Sequence, residues 1–262
     1  MNLNLVNKTA LVCGGSQGLG LATAKELALL GATVIVASRT EDKLIDAVKQ
    51  LDNARGQHHQ YLVMDLAFPE LAKTAVATWL LKNCPIHILV NNAGGPPAGP
   101  LIDTDVAALE KAFLIHVISG HLLVQLLLPG MQRAGYGRII NIVSTAVKQP
   151  INGLGISNTV RAAMANWAKT LANEIGHAGI TVNNVLPGYT NTDRLQYLFS
   201  IQAAQQGINI DDIEKNIINA IPAKRLGEPE EFGAVAAFLC TPAAGYINGV
   251  NIPVDGGRTG SL

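Results

Sequence analysis

The sequence predicts an α/β architecture: one Rossmann-type, doubly wound parallel sheet of about seven strands with helices on both faces. Three observations predict it. Short apolar, β-branched runs alternate with longer amphipathic segments along the whole chain, the pattern of strand–helix–strand units. Several of the short runs, such as ILV at 88–90 and RIINIV at 138–143, are continuous rather than alternating, as expected of strands buried on both faces. A glycine-rich turn joins the first apolar run to the first helical segment.

The elements follow in order. A first strand over Lys8–Cys13 runs into the glycine turn, and a helix over Gly18–Leu30 leaves it. A β-branched run gives a second strand at Thr33–Ala37, followed by an amphipathic helix over Glu41–Asn53. Strands at His59–Met64 and Ile86–Val90 flank a helix over Pro69–Lys82. A long apolar helix over Thr104–Met131 precedes a fifth strand at Arg138–Val143, and a helix over Gly153–His177 precedes a sixth at Thr181–Val185. A last helix, Pro229–Cys240, leads to a strand at Val250–Val254. The segment 190–222 is the least regular and is rich in Gln, Asn and Ile. It reads equally as an insertion covering a substrate crevice or as a surface helical hairpin. With no linker, repeat or low-complexity tract, residues 1–262 read as a single domain.

Composition narrows the function classes. Hydrophobic residues make up 48% of the 262 and charged residues 15%, with 19 basic and 19 acidic side chains. Bulk charge therefore points to no nucleic-acid or membrane-surface partner. So little charge fits a large core, or a surface partly buried in an oligomer. Cys13, Cys84 and Cys240 are odd in number and far apart, without a CxxC pair. They suggest neither a disulfide framework nor a zinc site, and a cytoplasmic location is expected. No His/Asp/Glu cluster has metal-ligand spacing. The N-terminus lacks the pattern of a signal peptide. The longest apolar run, Leu122–Leu128, is broken by Gln125, stops at Pro129, and is too short to span a bilayer.

The glycine turn carries the first functional signal. Gly14, Ser16, Gln17, Gly18, Leu19 and Gly20 lie between a strand and a helix. Glycines there allow a tight turn and let backbone N–H groups approach a pyrophosphate at the helix N-terminus. Dinucleotide enzymes that prefer NAD place an acid at the end of the second strand, to accept from the ribose 2′-hydroxyl. Here that place reads Ser38-Arg39. Arginine can pair with a 2′-phosphate where an acid would repel it, so NADP(H) is favoured over NAD(H). A solvated loop arginine is the alternative.

Further motifs match one family from about Lys8 to Gly257. They are the GxxxGxG spacing of the turn, Asp65-Leu66, Asn91-Asn92-Ala93-Gly94 and Pro187-Gly188 followed by Thr192. Towards the C-terminus Arg225, Gly227-Glu228-Pro229-Glu230, Ile247-Asn248-Gly249 and Val254-Asp255-Gly256-Gly257 join them. The chain resembles the short-chain dehydrogenases/reductases, and in overall look their 3-oxoacyl-acyl-carrier-protein reductase branch. The resemblance implies that Asp65 contacts the adenine amino group and that Pro187, Gly188 and Thr192 lie along the nicotinamide. It places Asn92, Ala93 and Gly94 in the cofactor site as well. Gln17 stands where NADP-preferring relatives often carry a second basic residue.

The resemblance also implies a catalytic tetrad, and here the chain departs from it. Ser144 matches the family Ser, which hydrogen-bonds the substrate oxygen. Ser157 stands at the place of the proton-donating Tyr, Arg161 at that of the ribose-binding Lys, and His116 at that of the relay Asn. Serine is shorter than tyrosine and a much weaker acid, so Ser157 needs an intermediary to deliver a proton. Arg161 keeps the positive charge, but with a pKa above 12 it is no proton donor. His116 starts near pKa 6.5, suited to neutral proton transfer; a satisfied core histidine is the competing reading. Tyr189 could offer a phenol from the opposite wall. Two functions follow: an NADP(H)-dependent reductase of a 3-oxoacyl-thioester-like carbonyl with an altered proton donor, or an NADP(H)-binding pseudoenzyme serving as sensor or structural subunit. Relatives usually form tetramers, so a homotetramer is expected, with a dimer as fallback.

Overall fold

The computed structural model describes residues 1–261. Its sheet has seven strands in the order β3-β2-β1-β4-β5-β6-β7, all parallel. They are β1 Thr9–Cys13, β2 Thr33–Ser38, β3 Gln60–Val63, β4 Ile88–Asn91, β5 Gly137–Ile142, β6 Ile180–Pro187 and β7 Asn251–Val254. Parallel neighbours need crossover connections, and helices supply them. These are α1 Gly18–Leu29, α2 Glu41–Lys49, α3 Pro69–Leu80, α4 Val106–Phe113, α5 Ser119–Ala134, α6 Gly155–Ile175, α7 Asp193–Gln206, α8 Ile210–Ala220 and α9 Pro229–Leu239.

The continuous apolar strands are explained by two cores. Val12, Val36 and Val90 face α1, α2 and α9, through Leu27, Leu44 and Phe232. Leu11, Ile35 and Leu89, their neighbours in sequence, face α3, α5 and α6, through Val76, Leu127 and Ala168. Alternate side chains of one strand thus enter opposite cores, so a buried strand must be apolar at every position. β1 pairs with β2 on one side and β4 on the other. The chain reverses its direction of travel across the sheet there, which opens a crevice at the carboxyl ends of β1 and β4.

Two expectations need correction. The helix read as continuous over Thr104–Met131 is divided by a π-helical turn at Leu114–Ile118. A single extra residue is invisible to apolar periodicity. Second, the helix does not end at Met131 but runs through Pro129 to Ala134 and closes on Gly135 in the left-handed region. The combined Val106–Ala134 segment of 29 residues is long and apolar enough to cross a membrane. Leu123, Val124, Leu127 and Met131 nonetheless pack against the sheet, which accounts for the apolar face. The segment 190–222, read either as a crevice-covering insertion or as a surface helical hairpin, forms α7 and α8, joined through Gly207, with a core of their own around Phe199, Ala203 and Ile213.

Candidate active site

The glycine turn lies at the mouth of the crevice. Gly14 and Gly18 have φ of +57° and +56°, a region that disfavours other residues. A Cβ on Gly20 would stand 2.2 Å from the Gly14 carbonyl oxygen, and one on Gly14 2.6 Å from Asn92 Nδ2. Turn and helix can therefore pack this closely only without side chains. Asn92 Nδ2 donates to the Gly14 carbonyl at 3.2 Å and ties the loop after β4 to the turn. Gln17, at the N-cap of α1, makes no side-chain cap bond. The first N–H groups of α1 thus remain available to an anion. Ser16 is half-buried, and Leu19 packs against the core behind the turn. A Cβ on Gly94 would meet nothing within 4 Å, so the opposite lip is open. These residues fit a dinucleotide.

The rim residues are placed as follows. Ser38 Oγ, at the end of β2, is buried and has no hydrogen-bond partner, and Arg39 beside it is exposed. Asp65 accepts from the Ala67 amide at 2.9 Å and so caps a turn after β3. It is not the N-cap of α3, which is Phe68. The neighbouring Leu66 carbonyl accepts from Ser119 Oγ at 2.6 Å, anchoring the start of α5 beneath the crevice. Pro187 ends β6 in register with Val254, Gly188 donates to the Val254 carbonyl, and Thr192 caps α7 by accepting from the Leu195 amide.

The structure brings His116, Arg161, Asn92 and Ala93 together around one small cavity. His116 sits on the π turn, a distortion common at functional sites. Burial first, and then the charge of Arg161, lower its pKa to about 3, although a hydrogen bond to the Gly94 backbone opposes them. At neutral pH it is an uncharged ring. The expected neutral-range titration is absent because an imidazolium would be both desolvated and repelled there.

Arg161 is 8% exposed. Its Nη1 donates to the Ile142 carbonyl at 2.8 Å, while its Nε has no partner. Burial lowers its pKa to about 10, so it remains a cation at neutral pH. Among the described residues no carboxylate forms an ion pair with it. Ser157 lies four residues earlier on α6, and therefore on the same helix face. Ser144 Oγ accepts from the Ala146 amide at 3.1 Å, capping a short 3₁₀ turn while retaining its own proton. Tyr189 is half-buried, 6.5 Å from Phe199, with the Arg258 guanidinium 4.7 Å from its ring centroid. It belongs to the α7–α8 core as much as to the crevice. Ser144, Ser157 and Tyr189 do not line the His116–Arg161 cavity.

Two features went unread in the sequence. Asn91 Nδ2 donates to Asn141 Oδ1, Asn141 Nδ2 to Asn184 Oδ1, and Asn184 Nδ2 to Asn251 Oδ1, at 2.9, 2.8 and 2.7 Å. This amide ladder crosses four adjacent strands in register, and its Asn91 and Asn141 border the cavity. The signal was present as asparagines inside otherwise apolar strands, since a buried polar group demands a partner. The other is Arg194 of α7, whose Nη2 would lie 3.8 Å from a Cβ on Gly95 and so spans to the loop after β4. Among the described residues no group of His, Cys, Asp and Glu side chains could hold a metal ion.

Comparison with known proteins agrees with this geometry. Residues 14–259 match the family model described as enoyl-(acyl carrier protein) reductase. Dehydrogenase/reductase SDR family member 4 of Oryctolagus cuniculus is 34% identical, over 98% of this chain and 96% of its own. The 7alpha-hydroxysteroid dehydrogenase of Escherichia coli K12 is 30% identical, over 100% and 98%. The L-sorbose reductase of Gluconobacter frateurii, solved with NADPH and L-sorbose, superposes with a TM-score of 0.93 at 29% identity, covering all of both chains. A nicotinamide cradle, the seven-strand parallel sheet and these full-length likenesses make this chain an oxidoreductase of the short-chain dehydrogenase/reductase family.

Proposed function

We propose that the protein is an NADP(H)-dependent reductase of a ketone, with Ser157 and Arg161 in place of the family's Tyr and Lys. The observation that carries this reading is the end of β2. There Arg39 and the unpartnered Ser38 hydroxyl stand where an acid would mark NAD binding. A bound nicotinamide dinucleotide supplies the hydride. Ser144, with its proton free to donate, orients the substrate oxygen. Arg161, a permanent and poorly solvated cation, favours negative charge developing nearby. His116 is neutral and serves by position rather than as an acid. Ser157 then delivers a proton only through an ordered water, and the phenol of Tyr189 is the other candidate donor.

In its overall look the sequence favours a 3-oxoacyl thioester. L-sorbose and the steroid of the relatives named above favour a wider class of ketones and secondary alcohols. Loss of NADPH absorbance should be followed with 3-oxoacyl thioesters, keto-sugars and oxosteroids. Turnover with at least one class is expected. Ser157→Tyr combined with Arg161→Lys should raise it tenfold or more, since a positioned general acid contributes about 10²- to 10⁴-fold.

A second reading, binding without turnover, is favoured by the pKa of His116. It leaves no histidine titrating near neutrality beside Arg161. NADPH binding with no oxidation across all three substrate classes would establish it. Activity that falls sharply in Arg161→Ala would exclude it. The same proposal makes the chain one domain, with α7 and α8 covering the crevice, since Arg194 and Thr192 approach Gly95 and Gly18. It makes the protein a homotetramer, or failing that a dimer, and its free thiols suit the cytoplasm.

A further inference from the structure

The first turn of α2 carries a basic side chain that the motifs do not mark. Lys43 Nζ donates to Gln17 Oε1 at 2.9 Å. Gln17 is the N-cap of α1 and part of the glycine turn. The contact therefore joins the loop that leaves β1 to the first turn of α2, which follows β2. Those strands are adjacent and parallel, with Cys13 opposite Ala37, so their loops face each other across the head of the crevice.

The charges around this bridge are sorted in an unusual way. Lys43 is the third residue of α2, where a cation opposes the helix dipole and an acid would be favoured. The two acids before it do not neutralise it. Glu41 is turned away, accepting from Tyr61 Oη at 2.9 Å. Neither Glu41 nor Asp42 forms an ion pair with Lys43 or Arg39 among the described residues. Ser38 Oγ, directly before Arg39 in sequence, is buried without a partner. Two unneutralised cations and an orphaned hydroxyl at one strand end lack an anion. A bound anion beside Lys43 would offset the unfavourable placement of a cation at this helix start.

We propose that Lys43 is a second determinant of cofactor choice, which Gln17 holds in place to receive the 2′-phosphate of NADP(H) opposite Arg39. An ammonium has three N–H donors, and Gln17 occupies one. Two remain for phosphate oxygens. Lys43 thereby supplies from α2 the basic group that the glycine turn lacks at Gln17. The assignment rests on the NADP(H) reading above and sharpens it to a residue.

Fluorescence titration of the purified protein with NADPH and with NADH tests it, alongside competition by 2′,5′-ADP and 5′-AMP. Wild type should prefer NADPH and 2′,5′-ADP. Lys43→Ala should weaken both about tenfold or more, as expected for loss of a charge-assisted contact. NADH and 5′-AMP should change by less than about twofold, and Lys43→Arg should restore most of the loss. Raising the salt concentration should weaken NADPH binding less in Lys43→Ala than in wild type. Equal weakening of NADPH and NADH would make Lys43 a loop brace and overturn the assignment. Unchanged NADPH preference in Lys43→Ala would overturn it too. A wild type that binds NADH as tightly as NADPH would instead sink the NADP(H) reading itself.

Discussion

His116 shows how much one position depends on its surroundings. In an unfolded chain it titrates near 6.5, whereas in the fold burial and Arg161 hold it at about 3. Between those values the unfolded chain binds a proton that the folded protein refuses. Stability from this residue is therefore complete above about pH 6.5 and is lost as pH falls towards 3. The slope is at most about 1.4 kcal/mol per pH unit. Urea midpoints measured at pH 7 and pH 4.5 should show wild type losing more stability than His116→Asn. An equal loss in both would mean that the ring is solvated and titrates normally.

At the level of elements, two hydrogen-bonded devices join neighbouring parts of the fold. The amide ladder ties β4, β5, β6 and β7 together. Asn141 is both acceptor and donor, so Asn141→Ala strands one group on Asn91 and one on Asn184. Each buried orphan costs about 1–3 kcal/mol, and chemical denaturation should show a combined loss of about 2–6 kcal/mol. A loss below about 1 kcal/mol would mean that water replaces the missing amide. The other device begins at Arg225, which pairs with both carboxylate oxygens of Glu231 at 2.7 and 2.6 Å. Glu228 and Glu231 form the capping box that starts α9. The motif match at 225–230 thus has a structural explanation, the docking of α9 beside α1.

At the scale of the whole molecule, the helix pair α4–α5 leaves apolar side chains uncovered. Val106, Phe113 and Ile118 are exposed by 68%, 40% and 37%, while the other side of the same helix lies in the core. A second copy covering them is the expectation, and sedimentation should give the mass of four chains, or of two. Phe113→Glu with Ile118→Glu should reduce that mass while leaving the circular dichroism spectrum intact. A monomeric wild type would show that these residues face solvent.

The alternation of elements, the glycine turn and the cofactor-end motifs were legible in the sequence by itself. Each rests on local rules: strand residues buried on both faces must be apolar, and a tight turn needs glycine. The proposal that Ser157 and Arg161 stand in place of the family's Tyr and Lys also rests on the sequence, because it is a matter of identity at fixed spacing. Only the tertiary structure decided what those residues experience. The low pKa of His116 arises from burial and from Arg161, which stands 45 positions later in the chain. The π turn adds one residue that periodicity cannot register, and α7 and α8 take their stability from packing on each other. Lys43 meets Gln17 only because β1 and β2 lie side by side. Charge, burial and hydrogen bonding depend on distance in space, which sequence spacing does not measure.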